Sequence, residues 1–134
     1  MADKLGIKPG MCACLIGEPE AYREALGAAI ADVDLVPTPE PAADLDFIHL
    51  FATARAELAA LFPRAKAALA PSGMLWVSWP KKAAKMPTDL DENTVRELGL
   101  AAGLVDVKVA AIDPVWSGLK FVYRLRDRRP SAPE

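Results

Sequence analysis

Lys81, Lys82 and Lys85 follow directly on the apolar run "GMLWVSWP" at 73–80. In an open α/β sheet, ligands bind beyond the carboxyl ends of the strands, so three ammonium groups placed there could hold an anion. A helix opening near Asp89 would aim its first amides at the same edge. Asp89, Asp91 and Glu92 already answer those amides, however, and lysines in polar loops are ordinarily just solvated. Two readings follow, a local anion site or a solvated loop.

His49 is the single histidine of the chain and lies inside "DFIHLF". A general base needs a partner carboxylate and a route to substrate. Asp46 stands three residues earlier, on the opposite face of a strand. The expectation is a core histidine that keeps its hydrogen bond, the alternative a functional group near the carboxyl edge. Cys12 and Cys14 share a strand face, are too close to bridge easily, and are too few for a zinc site. They read as small buried hydrophobes. Ser72 and Ser78 lack the Gly-x-Ser-x-Gly setting of a nucleophile, and neither a metal-ligand spacing nor a phosphate-binding loop occurs. Trp76 and Trp79 should point to opposite faces of one strand. Trp116 reads as a packed hairpin residue, with ligand stacking as the lesser alternative. No catalytic residue and no metal ligand is assigned.

Such groups need a scaffold, and the chain is long enough for one. Its 134 residues suit a single domain, taken as 1–126 with a polar tail at 127–134. Hydrophobic residues make up 52% and charged residues 25%, enough for a real core. A net charge of -2 supplies no global field toward nucleic acid or anionic membrane. "MADKLGIKPGM" has no signal-like apolar run and no stretch reaches bilayer length, so a cytoplasmic place without membrane contact is expected.

Residues 11–17, "MCACLIG", read as a buried first strand, and "EPEAYREALGAAI" as a helix with Tyr22, Leu26 and Ile30 inward. A weaker strand at 32–38 leads into the proline-rich "PTPEPAAD". "LDFIHLFAT" at 45–53 is a strong strand, and Thr53 is placed to cap the next helix, which Pro63 should break or kink. "PSG" reads as a turn before "GMLWVSWP". Asp89 and Glu92 have capping-box spacing ahead of a helix that closes at Gly103. "VDVKVAAID" and "GLKFVYRL" are spaced as a hairpin around "PVWSG". The alternation predicts an α/β three-layer sandwich: a mostly parallel sheet of about six strands with an antiparallel C-terminal strand beside "GMLWVSW".

"LGIKPGMCACLIG", "LDFIHLF" and "RAKAALAPSGMLWVSWP" resemble the first, fourth and fifth strand regions of class I S-adenosylmethionine-dependent methyltransferases, a Rossmann-like family. The chain is also similar to a family of small bacterial proteins of unassigned function, through "DFIHLF", "GMLWVSWPKK", "GLVDVKV" and "WSGLKFV". Methyltransferases of this class carry a glycine-rich first loop, whereas "LIGEPEAY" offers Gly17 alone, then Glu18 and Pro19. The acidic residue that holds ribose hydroxyls is missing after the second strand, with Glu40 a poor substitute. The span from Gly17 to Asp46 has room for one helix and one strand, one such unit short of the full fold.

The resemblance therefore implies a methyltransferase-like domain with a reduced, degenerate cofactor site, expected to bind no cofactor and to act as a binding or regulatory module rather than an enzyme. Two alternatives accompany it. One is a minimal methyltransferase that binds S-adenosylmethionine, with Gly17 as its cofactor contact. The other is a phosphate or nucleic-acid binder through Lys81, Lys82 and Lys85. An anionic ligand or a protein partner would then sit at the carboxyl edge.

Overall fold

A computed structural model describes residues 5–37 and 44–124. The apolar runs become the central strands, β1 (Cys12–Ile16), β3 (Leu45–Phe51) and β4 (Leu69–Pro80). The short β2 (Asp34–Val36) and the hairpin β5 (Leu104–Ala111) and β6 (Trp116–Tyr123) complete a six-stranded sheet in the order β2-β1-β3-β4-β6-β5. Strands β1 to β4 are mutually parallel, and β6 runs antiparallel to both β4 and β5. The expected antiparallel last strand beside "GMLWVSW" is present, with Val77 opposite Leu119.

Helix α1 (Glu20–Leu26) lies on one face, and α2 (Arg55–Ala68) and α3 (Glu92–Ala101) on the other. On the α1 side, Leu5, Tyr22, Leu26, Phe47, Phe51 and Trp76 pack together. On the other side Leu58, Phe62 and Val95 cover Ile48, Leu50, Val77 and Trp79. Trp76 and Trp79 thus do point to opposite faces, and the Trp76 indole donates to the Leu5 carbonyl at 2.9 Å. The result is a three-layer sandwich with two apolar interiors.

Four local expectations are corrected. The second strand is shorter than 32–38, because the chain spends Gly27–Asp32 in a 3-10 turn. Pro63 does not break α2, which runs through it for 14 residues; the packing of Leu58, Phe62 and Ala65 outweighs one missing amide donor. "PSG" is no turn but part of β4, absorbed by a register shift in which Leu45 pairs with Leu69 and Phe47 with Met74. Gly73 permits this, since a Cβ there would lie 2.7 Å from the Leu45 carbonyl oxygen. The cap of α3 is Asp91, whose carboxylate accepts from the Thr94 amide at 2.8 Å, rather than Asp89. The proposed tail at 127–134 and the connector at 38–43 lie outside the described residues.

Candidate functional site

From β1 the chain crosses through α1 to β2 on one side, and from β3 through α2 to β4 on the other. The order reverses between β1 and β3, so the crevice beyond their carboxyl ends is the topological switch point of the sheet. In open α/β folds that crevice is where ligands bind.

Gly17 and Glu18 follow directly on the carboxyl end of β1. Gly17 has φ +71°, and a Cβ there would meet the Phe51 carbonyl oxygen at 2.8 Å. The first loop is therefore pressed against the end of β3, an approach only glycine allows. Glu18 is held by Arg23 through a 2.7 Å ion pair, its own side chain 15% exposed and that of Arg23 53%. Pro19 precedes α1, and its carbonyl accepts from the Tyr22 amide at 3.0 Å.

Beneath the loop a hydrogen-bonded string crosses the sheet. Tyr22 Oη lies 2.6 Å from His49 Nδ1, and His49 Nε2 lies 2.7 Å from Ser78 Oγ. All three side chains are buried, and His49 stacks on Phe51 with ring centroids 4.2 Å apart. Burial drives the imidazole toward its neutral form, lowering its pKa to about 3. Burial raises the Tyr22 phenol, helped by the charge of Glu18. A neutral imidazole has one donor and one acceptor nitrogen, which this string uses in full. Nothing in the spacing of residues 22, 49 and 78 announces it. Asp46 faces away and accepts from the Cys12 amide at 3.0 Å.

The loop after β4 starts and ends under restraint. The Lys81 amide donates to the Val115 carbonyl at 2.8 Å. At the far end the Thr88 hydroxyl donates to the Thr53 carbonyl at 2.5 Å, Asp89 accepts from the Arg55 amide at 2.7 Å, and Leu90 is buried in the core. Between these ties Lys82 and Lys85 are exposed, and Lys81 is half-buried. The charge of Lys82 helps keep the Asp91 carboxyl below its ordinary range, after the larger effect of the Thr94 hydrogen bonds.

The candidate residues thus divide. Gly17 lies at the switch point, and His49 lies below it, closed off from solvent. Lys81, Lys82 and Lys85 belong to the neighbouring loop on the same edge. Thr53 does not cap α2: the cap position is Ala54, the Thr53 amide donates to Glu57 at 3.2 Å, and the capping carboxylate comes from Asp89. Trp116 opens β6 opposite Pro80 instead of forming the turn, and packs edge-on against Phe51 at 5.2 Å, so its ring serves the core. The turn is made by Asp113, whose carboxylate accepts from the Val115 and Trp116 amides at 2.7 and 2.8 Å. Glu40 lies outside the described residues. Among those described, no group of acidic, histidine and cysteine residues could hold a metal, and no helix is long and apolar enough to cross a membrane.

No protein-family model matches the chain, and no curated relative matches it. Solved structures do. A methyltransferase dependent on S-adenosylmethionine from Aquifex aeolicus is 18% identical with a TM-score of 0.58, covering 89% of this chain and 85% of that one. The Burkholderia thailandensis 1,6-didemethyltoxoflavin-N1-methyltransferase, solved with 1,6-didemethyltoxoflavin and S-adenosylhomocysteine, is 14% identical with a TM-score of 0.59, over 90% and 73% of the two chains. LepI in complex with S-adenosylmethionine is 14% identical with a TM-score of 0.58; the match covers 92% of this chain and spans 39% of the LepI chain.

These neighbours overturn the expectation that the fold has no cofactor, since two of the three were solved with S-adenosylmethionine or its product. That expectation leaned on a missing glycine-rich, donor-rich loop. The six-stranded sheet, its order and its antiparallel hairpin place the chain in the Rossmann-like fold of the S-adenosylmethionine-dependent methyltransferases.

Proposed function

We propose that this domain binds S-adenosylmethionine at the β1–β3 switch point and works as a minimal methyltransferase. The observation that carries the proposal is the Gly17 turn, laid against the Phe51 carbonyl where the strand order reverses. Glycine at 17 lets the first loop lie against the end of β3, which leaves its backbone at the border of the crevice. The residues fit the cofactor in charge as well. S-adenosylmethionine bears an ammonium, a carboxylate and a sulfonium, so its net charge is positive, and the carboxylate of Glu18 is compatible with it.

When bound, the cofactor supplies an electrophilic methyl group. The protein's task is then to hold donor and acceptor in line and to keep water out, work done by placement more than by acid or base. Gly17 and Glu18 would hold the cofactor. The loop 81–87, tied at both ends on the same edge, is the proposed wall for the acceptor, with Lys81, Lys82 and Lys85 favouring an anionic one. A cytoplasmic place is part of the proposal, in keeping with Cys12 and Cys14, neither of which is in a disulfide.

Thermal shift tests it. S-adenosylmethionine or S-adenosylhomocysteine at a hundred times its dissociation constant should add about 2.7 kcal/mol to stability. Raised melting with either compound, and none with ATP, is the expected result. A shift with ATP alone would favour the phosphate-binding reading, and no shift with any of them would favour a cofactor-free module.

A further inference from the structure

The string of Tyr22, His49 and Ser78 holds more hydrogens than it has hydrogen bonds. Tyr22 Oη lies 2.6 Å from His49 Nδ1 and Ser78 Oγ 2.7 Å from His49 Nε2, and all three side chains are buried. Among the described residues neither hydroxyl has a second partner. Burial keeps the imidazole neutral and the phenol protonated. Each group therefore brings one hydrogen, three in all, to two bonds. The third hydrogen must end at one hydroxyl or the other. With hydrogen on Nε2, Tyr22 donates to Nδ1, Nε2 donates to Ser78, and the Ser78 hydrogen points out of the string. With hydrogen on Nδ1, Ser78 donates to Nε2, Nδ1 donates to Tyr22, and the Tyr22 hydrogen points out. Both forms use the same two contacts, which are of nearly equal length. Their outer ends differ: Tyr22 stands on α1, which follows the first loop, and Ser78 on β4, close to the lysine loop.

We infer that the Tyr22–His49–Ser78 string is a two-position hydrogen switch coupling the first-loop side of the carboxyl edge to the β4 side. An oxygen that accepts from Ser78 selects the Nε2–H form, and one that accepts from Tyr22 selects the Nδ1–H form. Reversal from the first form to the second is balanced. Tyr22 takes up one proton at its outer side and passes its own to Nδ1; Nε2 passes its hydrogen to Ser78, and Ser78 releases one outward. The end state holds neither imidazolium nor phenolate, so burial does not oppose the change. A ligand that engages one end thereby alters what the other end offers.

His49 is the single histidine, so nitrogen-15 labelling of histidine reports this ring alone, and the spectrum at neutral pH shows which nitrogen carries hydrogen. A buried N–H without an acceptor is harder to tolerate than an acceptor without a donor. Tyr22→Phe should therefore hold the ring as Nε2–H, donating to Ser78, and Ser78→Ala should hold it as Nδ1–H, donating to Tyr22. Each substitution removes one oxygen and leaves the rest of the side chain in place. The parent should hold both forms, within about tenfold of each other. Its ligand arm rests on the cofactor reading above: S-adenosylhomocysteine, placed by that reading on the first-loop side, should shift the parent toward Nδ1–H. The same tautomer in both variants, a parent with hydrogen on one nitrogen alone, or a ring unmoved or shifted toward Nε2–H by bound S-adenosylhomocysteine would overturn the switch. If calorimetry shows no binding of that compound, the cofactor reading fails, and the spectra of the parent and the two variants alone decide the switch.

Discussion

The Asp89 carboxylate accepts a hydrogen bond from the Arg55 amide at 2.7 Å, across 34 residues of sequence. The loop that follows β4 thereby caps the helix that precedes β4. The first amides of α2 have no partner within the helix, and Ala54 at its cap position has no side chain to offer. Thr88 strengthens the tie by donating to the Thr53 carbonyl. The carboxyl ends of β3 and β4 are thus joined by side chains as well as by the sheet. Asp89→Ala should cost about 1 kcal/mol, as loss of a cap usually does. A urea midpoint identical to that of the parent would show that Asp89 does not carry this cap.

A second prediction concerns acid. His49 is held neutral in the folded protein, with its pKa lowered to about 3 by burial, while in the unfolded chain it titrates near its ordinary value. The folded value is the lower one, so the unfolded state binds more protons between the two. Stability is therefore fully present above about pH 6.5 and falls as the pH drops toward 3. Between pH 6.5 and 5, where carboxylates titrate little, the loss should be about 2 kcal/mol. In His49→Gln that slope should disappear; if it persists, another group is responsible.

Replacing His49 with Leu removes the partner of two buried hydroxyls at once, those of Tyr22 and Ser78. The expected cost is about 3 kcal/mol, since each orphaned polar group keeps most of its desolvation penalty. Tyr22→Phe in the His49→Leu background should recover part of it. A fully additive loss in the double variant would count against the string.

Much of the scaffold was legible from pattern alone. "LDFIHLF" and "MLWVSW" are apolar enough to announce central strands, and the spacing of the last two strands announces the hairpin. What pattern could not give are ties between residues distant in sequence. The spacing of Asp89 and Glu92 does look like a capping box, yet Asp89 serves a different helix, because Asp91 is better placed to reach Thr94. "PSG" carries every local sign of a turn, but pairing across to β3 holds it in the strand. Tyr22, His49 and Ser78 meet only because β3 and β4 are neighbours in the sheet and α1 packs on their shared face. Glu18 was visible as a negative charge in the first loop, but its meaning depends on the charge of the ligand.

Lys81, Lys82 and Lys85 have a separate test. Changing all three to Ser should leave the fold intact, because loop charges contribute little stability. The variant should bind a polyanion such as heparin more weakly and with a shallower dependence on salt. Parent-like binding at every salt concentration would reduce these lysines to a solvated loop and remove the reason to favour an anionic acceptor.

The central claim is that the Gly17 turn at the switch point receives S-adenosylmethionine, and calorimetric titration of the parent and of Gly17→Ala tests it most directly. The alanine would have to adopt φ +71° with its Cβ 2.8 Å from the Phe51 carbonyl oxygen, so the loop must move, at a cost of about 1–3 kcal/mol. The expected result is saturable one-site binding in the parent, weakened about tenfold or more in Gly17→Ala while the variant remains folded by circular dichroism. The contradicting result is a parent that shows no heat of binding up to about millimolar S-adenosylmethionine, or a Gly17→Ala variant that binds it as tightly as the parent.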